Sequence, residues 1–274
     1  MTLVIDESNF RDAYEEHQDR LSSHRALPDP GCLERLSNYG HLLFAPGADL
    51  FILPIPRKEW PAMIRAGQGS WLHDMVKDVL PPHDQGQTNY CWAHAPTRAH
   101  EVNNLWEGEA PFELSAESVA VPITGGANRG GRIEDAVQQI VNHGQCIQAM
   151  WPKNSRDIKS PNPEWKDNRR HFRFLTHADV NGFDMQMTFA LLRIPVAIGL
   201  RWWGHAICQL DPILFDDGTF GIGCDNSWGK SYGDNGYFIL TEKRGTADLG
   251  AIAPLSSTFL ANFPPDGPRA AQAT

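Results

Sequence analysis

Three polar side chains of this sequence have the types needed to break an acyl bond. Cys91 follows a segment of turn-forming residues and opens a helical pattern, so we expect its thiol at a helix N-terminus, where a thiolate is stabilised. His205 begins one β-prone run, and Asn226 closely follows another. A thiol, an imidazole and a carboxamide can act as nucleophile, proton acceptor and orienting group. Taken alone, a cysteine beside a tryptophan is more typical of a buried packing residue.

The elements that must position these residues change in type along the chain. Helical patterns come first, within residues 6–27, from Cys91 onward, and from Ile133 to His143, where Gly144 provides a stop. Short β-prone runs separated by turn residues follow, at 194–202, 205–210, 219–224 and 237–240. Helices segregated from an antiparallel set of strands predict an α+β fold with a cleft where the two layers meet.

Composition and charge narrow the classes of partner. The chain has 274 residues, of which 41% are hydrophobic, and a net charge of −9, so we expect no nucleic acid and no anionic membrane as a partner. The longest apolar run, 194–200, is far shorter than the roughly 20 residues that span a bilayer. The 5 cysteines are scattered without a C-x-x-C pair, so neither a disulfide framework nor a metal or other cofactor is expected.

The other histidines and cysteines are interpreted as structural. His94 and His100 do not share a helical face well, which argues against a metal site. The remaining cysteines in apolar or strand-like context are expected to be packing residues, namely Cys146, Cys208 and Cys224. The first residues lack the basic and apolar regions of a secretory signal, which predicts an intracellular protein, with a virion component as an alternative.

The motifs around the three reactive residues resemble those of the papain-like cysteine peptidases, the cathepsin family. The matches occur in the family's order: Gln85 ahead of the cysteine, Cys91-Trp92-Ala93, Leu114-Ser115, the glycine pair Gly130-Gly131, His205-Ala206, Asn226-Ser227-Trp228-Gly229, and Gly233 to Tyr237. The resemblance runs from about Ile55 to Thr258. The ordered set is far more specific than any single motif in it.

The resemblance implies a two-lobed papain-like α+β fold, with a helical lobe, an antiparallel β-barrel lobe and the active-site cleft between them. It implies that Cys91 attacks a peptide carbonyl, that His205 transfers the proton, and that Asn226 orients the imidazole. Peptide bonds of a peptide or protein substrate would then be hydrolysed through a thioester acyl-enzyme. Gln85 would face the oxyanion.

Three further residues are implied to act on the substrate side of the site. Gly130 and Gly131 would bring their backbone beside the bound peptide, because a residue without Cβ allows two chains to approach closely. Trp228 would shield the hydrogen bond between the catalytic histidine and asparagine from water.

The sequence also departs from the family's pattern. Thr88-Asn89-Tyr90 stands where the family has Cys-Gly-Ser, and Asn128 occupies the position of the disulfide partner, so this version is expected to lack that disulfide. The interval from Cys91 to His205 is short for the family, which predicts a trimmed loop before the histidine. Pro96 falls inside the predicted nucleophile helix, where a proline removes a hydrogen bond.

The same reasoning divides the chain into three parts. Residues 1–54 form an N-terminal extension or arm, expected to pack on the domain or to tether it to a protein partner rather than to inhibit it. Residues 55–260 form the peptidase domain, with a helical lobe over about 80–180 and a β lobe over about 181–260. Residues 261–274, rich in Pro, Ala and Gly, are expected to be a disordered tail.

Two other functions remain open at this point. The chain could be a structural or binding component of a larger assembly, such as a phage particle, that retains the papain fold. It could also be a cysteine-dependent acyltransferase or amidase that forms the same thioester on a non-peptide amide. Labelling of the thiol and a comparison of peptide with simple amide substrates would separate these possibilities.

Overall fold

The structure is a computed structural model, and it describes residues 2–20, 40–43, 49–69, 71–174, 176–255 and 271–272. Sequence predictions that fall on the other residues lie outside the described part. Among them are the part of the first helical pattern beyond residue 20 and the absence of a disulfide at Cys32.

Among the described residues, helices predominate up to about residue 171 and strands predominate after it. The helices are α1 (Phe10–Arg20), α2 (Trp60–Ala66), α3 (Leu72–Val76), α4 (Cys91–Trp106), α5 (Glu117–Thr124), α6 (Ile133–His143), α7 (Trp165–Asn168), α8 (Phe183–Leu191) and α9 (Glu242–Gly245). The strands are β1 (Val4–Ile5), β2 (Gly40–Leu43), β3 (Asp49–Ile52), β4 (Thr176–Asp179), β5 (Val196–Leu200), β6 (His205–Leu214), β7 (Phe220–Asp225), β8 (Tyr237–Thr241), β9 (Ala251–Leu255) and β10 (Ala271–Gln272). Among these residues, no helix is both long enough and apolar enough to cross a membrane.

The strands join in one sheet in the order β1-β8-β7-β6-β5-β9-β4-β2-β3-β10. Neighbouring strands are antiparallel, as the turn-separated runs predict, except that β1 pairs with β8 in parallel. The hairpin of β6 and β7 contains a register shift between Gln209 and Asp211, which is a local bulge. This hairpin carries the two site residues of the β lobe, so its register sets their separation.

The central helix of the helical lobe is α4, which begins at the predicted nucleophile. It is buried from Cys91 to Asn103 and packs against α5 and α6 on one side and against the sheet on the other. The helix continues through Pro96, and since proline has no amide hydrogen, the carbonyl of Trp92 receives no helical hydrogen bond from that position. The predicted distortion is therefore limited to one missing hydrogen bond inside a helix that packing stabilises.

Helix α6 spans the residues that its sequence pattern predicts, Ile133–His143. Its apolar stripe is buried, with Ala136, Val137 and Ile140 facing the helical core. Gly144 ends the helix with a φ of +78°, and a Cβ at this position would collide with the carbonyl oxygen of Arg169. Both the backbone conformation and the close approach therefore require glycine here.

The terminal segments contribute strands to the domain. Within the predicted arm, β1 extends the sheet at one edge, and β2 and β3 extend it at the other. Within the predicted disordered tail, Ala271 and Gln272 pair with Phe51 and Leu50. The described part of the arm thus packs on the domain, and the predicted disordered tail is paired at these two residues. Free strand edges are hydrogen-bonding sites that other segments of the chain can occupy.

Candidate active site

The three predicted triad residues lie at the ends of three packed elements. Cys91 is the first residue of α4, His205 is the first residue of β6, and Asn226 directly follows the last residue of β7. Since β6 and β7 are hydrogen-bonded neighbours and α4 packs across β6, these three ends meet at the junction of the two lobes. The fold therefore brings together residues that are far apart in the sequence.

His205 and Asn226 are directly hydrogen-bonded. The distance from His205 Nε2 to Asn226 Oδ1 is 2.8 Å, and the backbone N–H of Ser227 donates to the same oxygen at 2.8 Å. The backbone donor fixes the oxygen as the acceptor, so Nε2 of His205 carries the hydrogen of the bond between the side chains. The indole of Trp228 stacks on the imidazole with ring centroids 4.8 Å apart and excludes water from this bond.

The thiol of Cys91 lies beside the same strand. Burial raises the pKa of the Cys91 thiol to about 11, although the backbone N–H groups of Ala206, Trp92 and Cys91 itself act in the opposite direction. The prediction of a low-pKa thiol is therefore wrong for this closed arrangement. Helix N-terminal donors favour the thiolate, but here the cost of removing a charged sulfur from water is larger.

Gln85 is fixed by hydrogen bonds at both ends of its carboxamide. Its Nε2 donates to the carbonyl of Thr88 at 2.7 Å, and its Oε1 accepts from Ser227 Oγ at 2.5 Å. The backbone N–H of Gln85 also donates to the carbonyl of Ser227 at 2.8 Å. Because Ser227 follows Asn226, these bonds tie the predicted oxyanion residue to the predicted orienting residue. A carboxamide has two N–H groups, so one can still donate to a substrate.

The glycine pair lies behind the nucleophile. Gly131 is buried, and a Cβ there would overlap the indole ring of Trp92, the residue after Cys91. Gly130 is half-buried. Packing against Trp92 thus gives a structural reason for glycine at 131, and the substrate-binding role of both glycines stays a prediction.

The N-terminal segment covers the candidate site. The imidazole of His17, in α1, stacks on Trp228 with ring centroids 5.5 Å apart and lies 4.9 Å from the ring of His205. His17 itself is fully buried. One turn earlier in the same helix, the carbonyl of Ala13 accepts a hydrogen bond from Trp203 Nε1 at 2.9 Å. Sequence reasoning missed His17, which belongs to no motif and was one of several polar residues in an amphipathic pattern.

A network of buried charges lies behind the site, and sequence reasoning also missed it. Arg98 contacts Asp225 Oδ2 at 2.7 Å through Nη2, and it contacts Glu101 at 3.1 Å. His83 Nε2 lies 2.9 Å from Glu101, and its Nδ1 lies 3.1 Å from His94 Nδ1. Burial opposes the ionisation of Glu101, but His83 and Arg98 hold the pKa of its carboxyl below the usual value. Because Asp225 precedes Asn226, the network anchors the end of β7 to α4.

The remaining candidates have packing roles. Cys146, Cys208 and Cys224 are buried free thiols, as Cys91 is. In the part of the chain that the structure describes, no group of three or more His, Cys, Asp or Glu side chains is arranged to hold a metal ion. His94 and His100, the pair considered for a metal, instead bond to His83 and Gln145.

A buried helix that begins at a cysteine, packed against a sheet that carries a histidine and an asparagine, is the papain-like fold. Procathepsin L 3 of the Tenebrio molitor larval midgut has a TM-score of 0.57 to this chain, with 15% identity, over 93% of this chain and 83% of that one. At this identity, the similarity establishes the fold alone.

Two curated cysteine proteases are similar in sequence. The probable cysteine protease RD21C of Arabidopsis thaliana is 24% identical over 217 residues, which are 69% of this chain and 48% of that protein. The cysteine protease Amb a 11.0101 of Ambrosia artemisiifolia is 25% identical over 203 residues, 66% of this chain and 52% of that protein. The chain thus spans about half the length of the curated relatives it matches. No family model matches the chain.

These comparisons confirm the resemblance to papain-like cysteine peptidases and the α+β fold that the resemblance implies. They do not test the roles assigned to individual residues. The domain limits, the intracellular location and a protein partner for the N-terminal arm also stay predictions.

Proposed function

We propose that this protein is a papain-like cysteine peptidase that hydrolyses peptide bonds through a thioester. The observation that carries the proposal is the hydrogen bond of 2.8 Å between His205 and Asn226, which is covered by Trp228. The thiol of Cys91 is close to this bond, because it accepts a hydrogen bond from the backbone N–H of Ala206, the residue after His205. The similarity to curated cysteine proteases supports the same reaction class.

In the proposed acylation step, the thiol proton of Cys91 passes to Nδ1 of His205, since Nε2 is bonded to Asn226. The sulfur attacks the substrate carbonyl carbon, and the negative charge moves to the carbonyl oxygen. The N–H groups of Cys91 and of Gln85 Nε2 face that oxygen. His205 then donates the proton to the leaving amine, and the acyl group remains on the sulfur as a thioester.

In the proposed deacylation step, His205 accepts a proton from water, and the oxygen of that water attacks the thioester carbon. The carbon–sulfur bond breaks, His205 returns the proton to the departing sulfur so that the thiol of Cys91 is restored, and a carboxylic acid is released. Asn226 keeps Nε2 of His205 bonded through both steps, so the ring presents the same nitrogen to the sulfur and to the water.

The experiment is to react the full chain with a peptidyl epoxide directed at thiolates and to map the modified residue by mass spectrometry. We expect modification of Cys91 at a rate that falls strongly in His205→Ala. Cys146 is the internal control, because burial likewise raises the pKa of its thiol to about 11 and it lies away from His205. Equal modification of both cysteines, or no effect of His205→Ala, would contradict the proposal.

The choice of substrate separates the peptidase from an acyltransferase or amidase. Fluorogenic peptides and simple alkyl amides are compared with the same preparation. A peptidase cleaves the peptides with release of free acid. Turnover of the simple amides alone, or transfer of the acyl group to an added amine in place of water, would favour the alternative.

A further inference from the structure

A small cavity lies directly behind the orienting residue. Asn226, His94, His83, Arg98 and Asp225 are among its lining residues, and every residue that lines it is buried. The volume of this cavity that the centre of a water molecule can occupy is about 10 Å³. This is close to the smallest space that holds one ordered water, which also needs two or more polar partners.

Two polar atoms at this cavity have no hydrogen-bond partner among the described residues. They are Nε2 of His94 and Nδ2 of Asn226, and both are buried. In contrast, Arg98 and Asp225 are paired with each other, and His83 is bonded on both ring nitrogens. Buried polar groups in folded proteins almost always have a partner, either protein or ordered water.

The directions of the surrounding hydrogen bonds make these two atoms complementary. The Nδ1 atoms of His83 and His94 lie 3.1 Å apart, so one of them donates to the other. With Nε2 of His83 donating to the carboxylate of Glu101, we assign the acceptor at this contact to His83 and the donor to His94. Nε2 of His94 is then an acceptor. Nδ2 of Asn226 is a donor, because the Oδ1 of that residue accepts from His205 and Ser227.

We propose that one buried water accepts a hydrogen bond from Asn226 Nδ2 and donates one to His94 Nε2, and that His94 is therefore a positioning residue for the catalytic amide. The catalytic part of this inference rests on the proposed peptidase function. The complete chain of hydrogen bonds runs from Glu101 through His83, His94 and the water to Asn226 and His205. A rotated amide would place its N–H groups against the N–H groups of His205 and Ser227.

The charge state of His94 is consistent with this arrangement. Burial lowers the pKa of His94 well below its usual value. A neutral ring has one donor and one acceptor nitrogen. The proposal thus predicts the less common neutral tautomer of histidine, with the hydrogen on Nδ1.

The first test reads this tautomer directly and needs no enzymatic activity. The full chain is labelled with 15N-histidine, and the His94 resonances are assigned by their loss in His94→Phe. We expect a protonated Nδ1 and an unprotonated Nε2 between pH 6 and 8. A ring protonated on Nε2, or on both nitrogens, would overturn the water bridge. Because this measurement is independent of turnover, an inactive protein would refute the proposed function and leave this test intact.

The second test asks whether His94 acts through Asn226. In His94→Phe, we expect kcat for a fluorogenic peptide to fall about tenfold, the effect of losing one hydrogen bond, with KM unchanged. In an Asn226→Ala background, the same substitution should cause no further loss. Equal losses in both backgrounds would show a merely structural role and would overturn the inference.

Two further variants distinguish a loss of kcat caused by misfolding from one caused by the lost hydrogen bond. His100→Phe is the matched control, because His100 is a second buried histidine on α4 that bonds to Gln145, away from the cavity. We expect it to leave both kcat and the His94 tautomer unchanged. His94→Gln keeps a donor toward His83 and an acceptor toward the water, so it should retain most of the kcat that His94→Phe loses. Failure of this rescue in a folded His94→Gln protein would contradict the proposal.

Discussion

Gln85 shows how single side chains of the site are fixed before substrate binds. Both ends of its carboxamide are bonded, to Thr88 and to Ser227, and the side chain is buried. A donor held in place in this way does not have to reorganise when negative charge develops on a substrate oxygen. We therefore expect Gln85 to act as a pre-formed oxyanion donor, in addition to the structural role that its bonds to Thr88 and Ser227 give it.

Replacing this donor should affect the rate rather than the binding of substrate. For Gln85→Ala we expect kcat to fall by about 10²-fold, the usual effect of removing one oxyanion donor. Steady-state kinetics with a fluorogenic peptide measures the change. Gln87→Ala is the control, because Gln87 is exposed and only two residues away. A Gln85→Ala protein with unchanged kcat would remove Gln85 from the proposed mechanism.

Arg98 should contribute strongly to the free energy of unfolding, because it is the cation of a buried ion-pair network. It is buried with two carboxylates, Asp225 and Glu101. Arg98→Met leaves both acids buried without their cation, and we expect the free energy of unfolding to fall by about 3–5 kcal/mol. Urea denaturation measures this. Arg132→Met is the matched control, because Arg132 forms a partly exposed pair with Asp135 and should cost less than about 1 kcal/mol. Similar losses in the two variants would contradict this ranking.

At the scale of elements, the bulge in β6 buries a carboxyl group. Burial raises the pKa of Asp211 to about 7, although the backbone N–H of His73 and the hydroxyl of Tyr237 donate to it and act in the opposite direction. An ordinary aspartate in the unfolded chain ionises near 3.8. Between these two values, the folded state keeps a proton that the unfolded state has lost.

The contribution of Asp211 to stability should therefore decrease as pH rises. It is complete below about pH 4, falls by about 1.4 kcal/mol per pH unit, and is lost by about pH 7. Asp211→Asn removes this slope, so the variant should gain stability relative to the unmodified protein from pH 4 to pH 7. Urea denaturation at several pH values checks this. Asp216→Asn, in the exposed turn nearby, should leave the slope unchanged; an unchanged slope in Asp211→Asn would contradict the assignment.

Elements whose signals are local were predictable from the sequence. The helix from Ile133 to His143 has an acidic first turn, an apolar stripe and a terminal glycine, and the structure has the same bounds. Strand β1 was not predictable, because it has two residues and its partner, β8, lies at the opposite end of the chain. Helix α2 and helix α3 were also missed, since the many prolines and turn residues around them indicate extended chain.

The residues of the candidate site also fall into those that have a local sequence signal and those that have none. Cys91, His205 and Asn226 were found because each belongs to a motif that can be read along the chain. His83, His94 and His17 belong to no motif, and their contacts depend on which elements pack together. At Cys91 the helix N-terminus lowers the pKa of the thiol and burial raises it, and tertiary packing determines how large the effect of burial is. The direction of this pKa shift was therefore predicted wrongly from the sequence.

At the scale of the whole molecule, the first described segment is fastened to the domain at several points. Strand β1 pairs with β8, and Glu7 forms ion pairs with Lys243 and Arg244. The guanidinium of Arg244 also stacks over the ring of Phe10 at 3.4 Å. Together with the hydrogen bond from Trp203 to the carbonyl of Ala13 and the stacking of His17 on Trp228, these contacts hold α1 across the ring of His205. The described N-terminal segment thus packs on the domain beside the ring of His205, where we expect it to obstruct the proposed substrate site.

Removing this segment should therefore expose the site. In a variant lacking residues 1–20, we expect Cys91 to react with iodoacetamide at least about tenfold faster at pH 7.5. Burial is the leading cause of the raised pKa of Cys91, so that pKa should also fall below about 11 as water enters. The pH dependence of the alkylation rate measures both effects, and circular dichroism verifies the fold. Glu7→Gln is the control, because its exposed ion pairs contribute little and α1 should stay in place. An unchanged rate and pH profile in a folded truncated protein would show that α1 does not control access to the thiol.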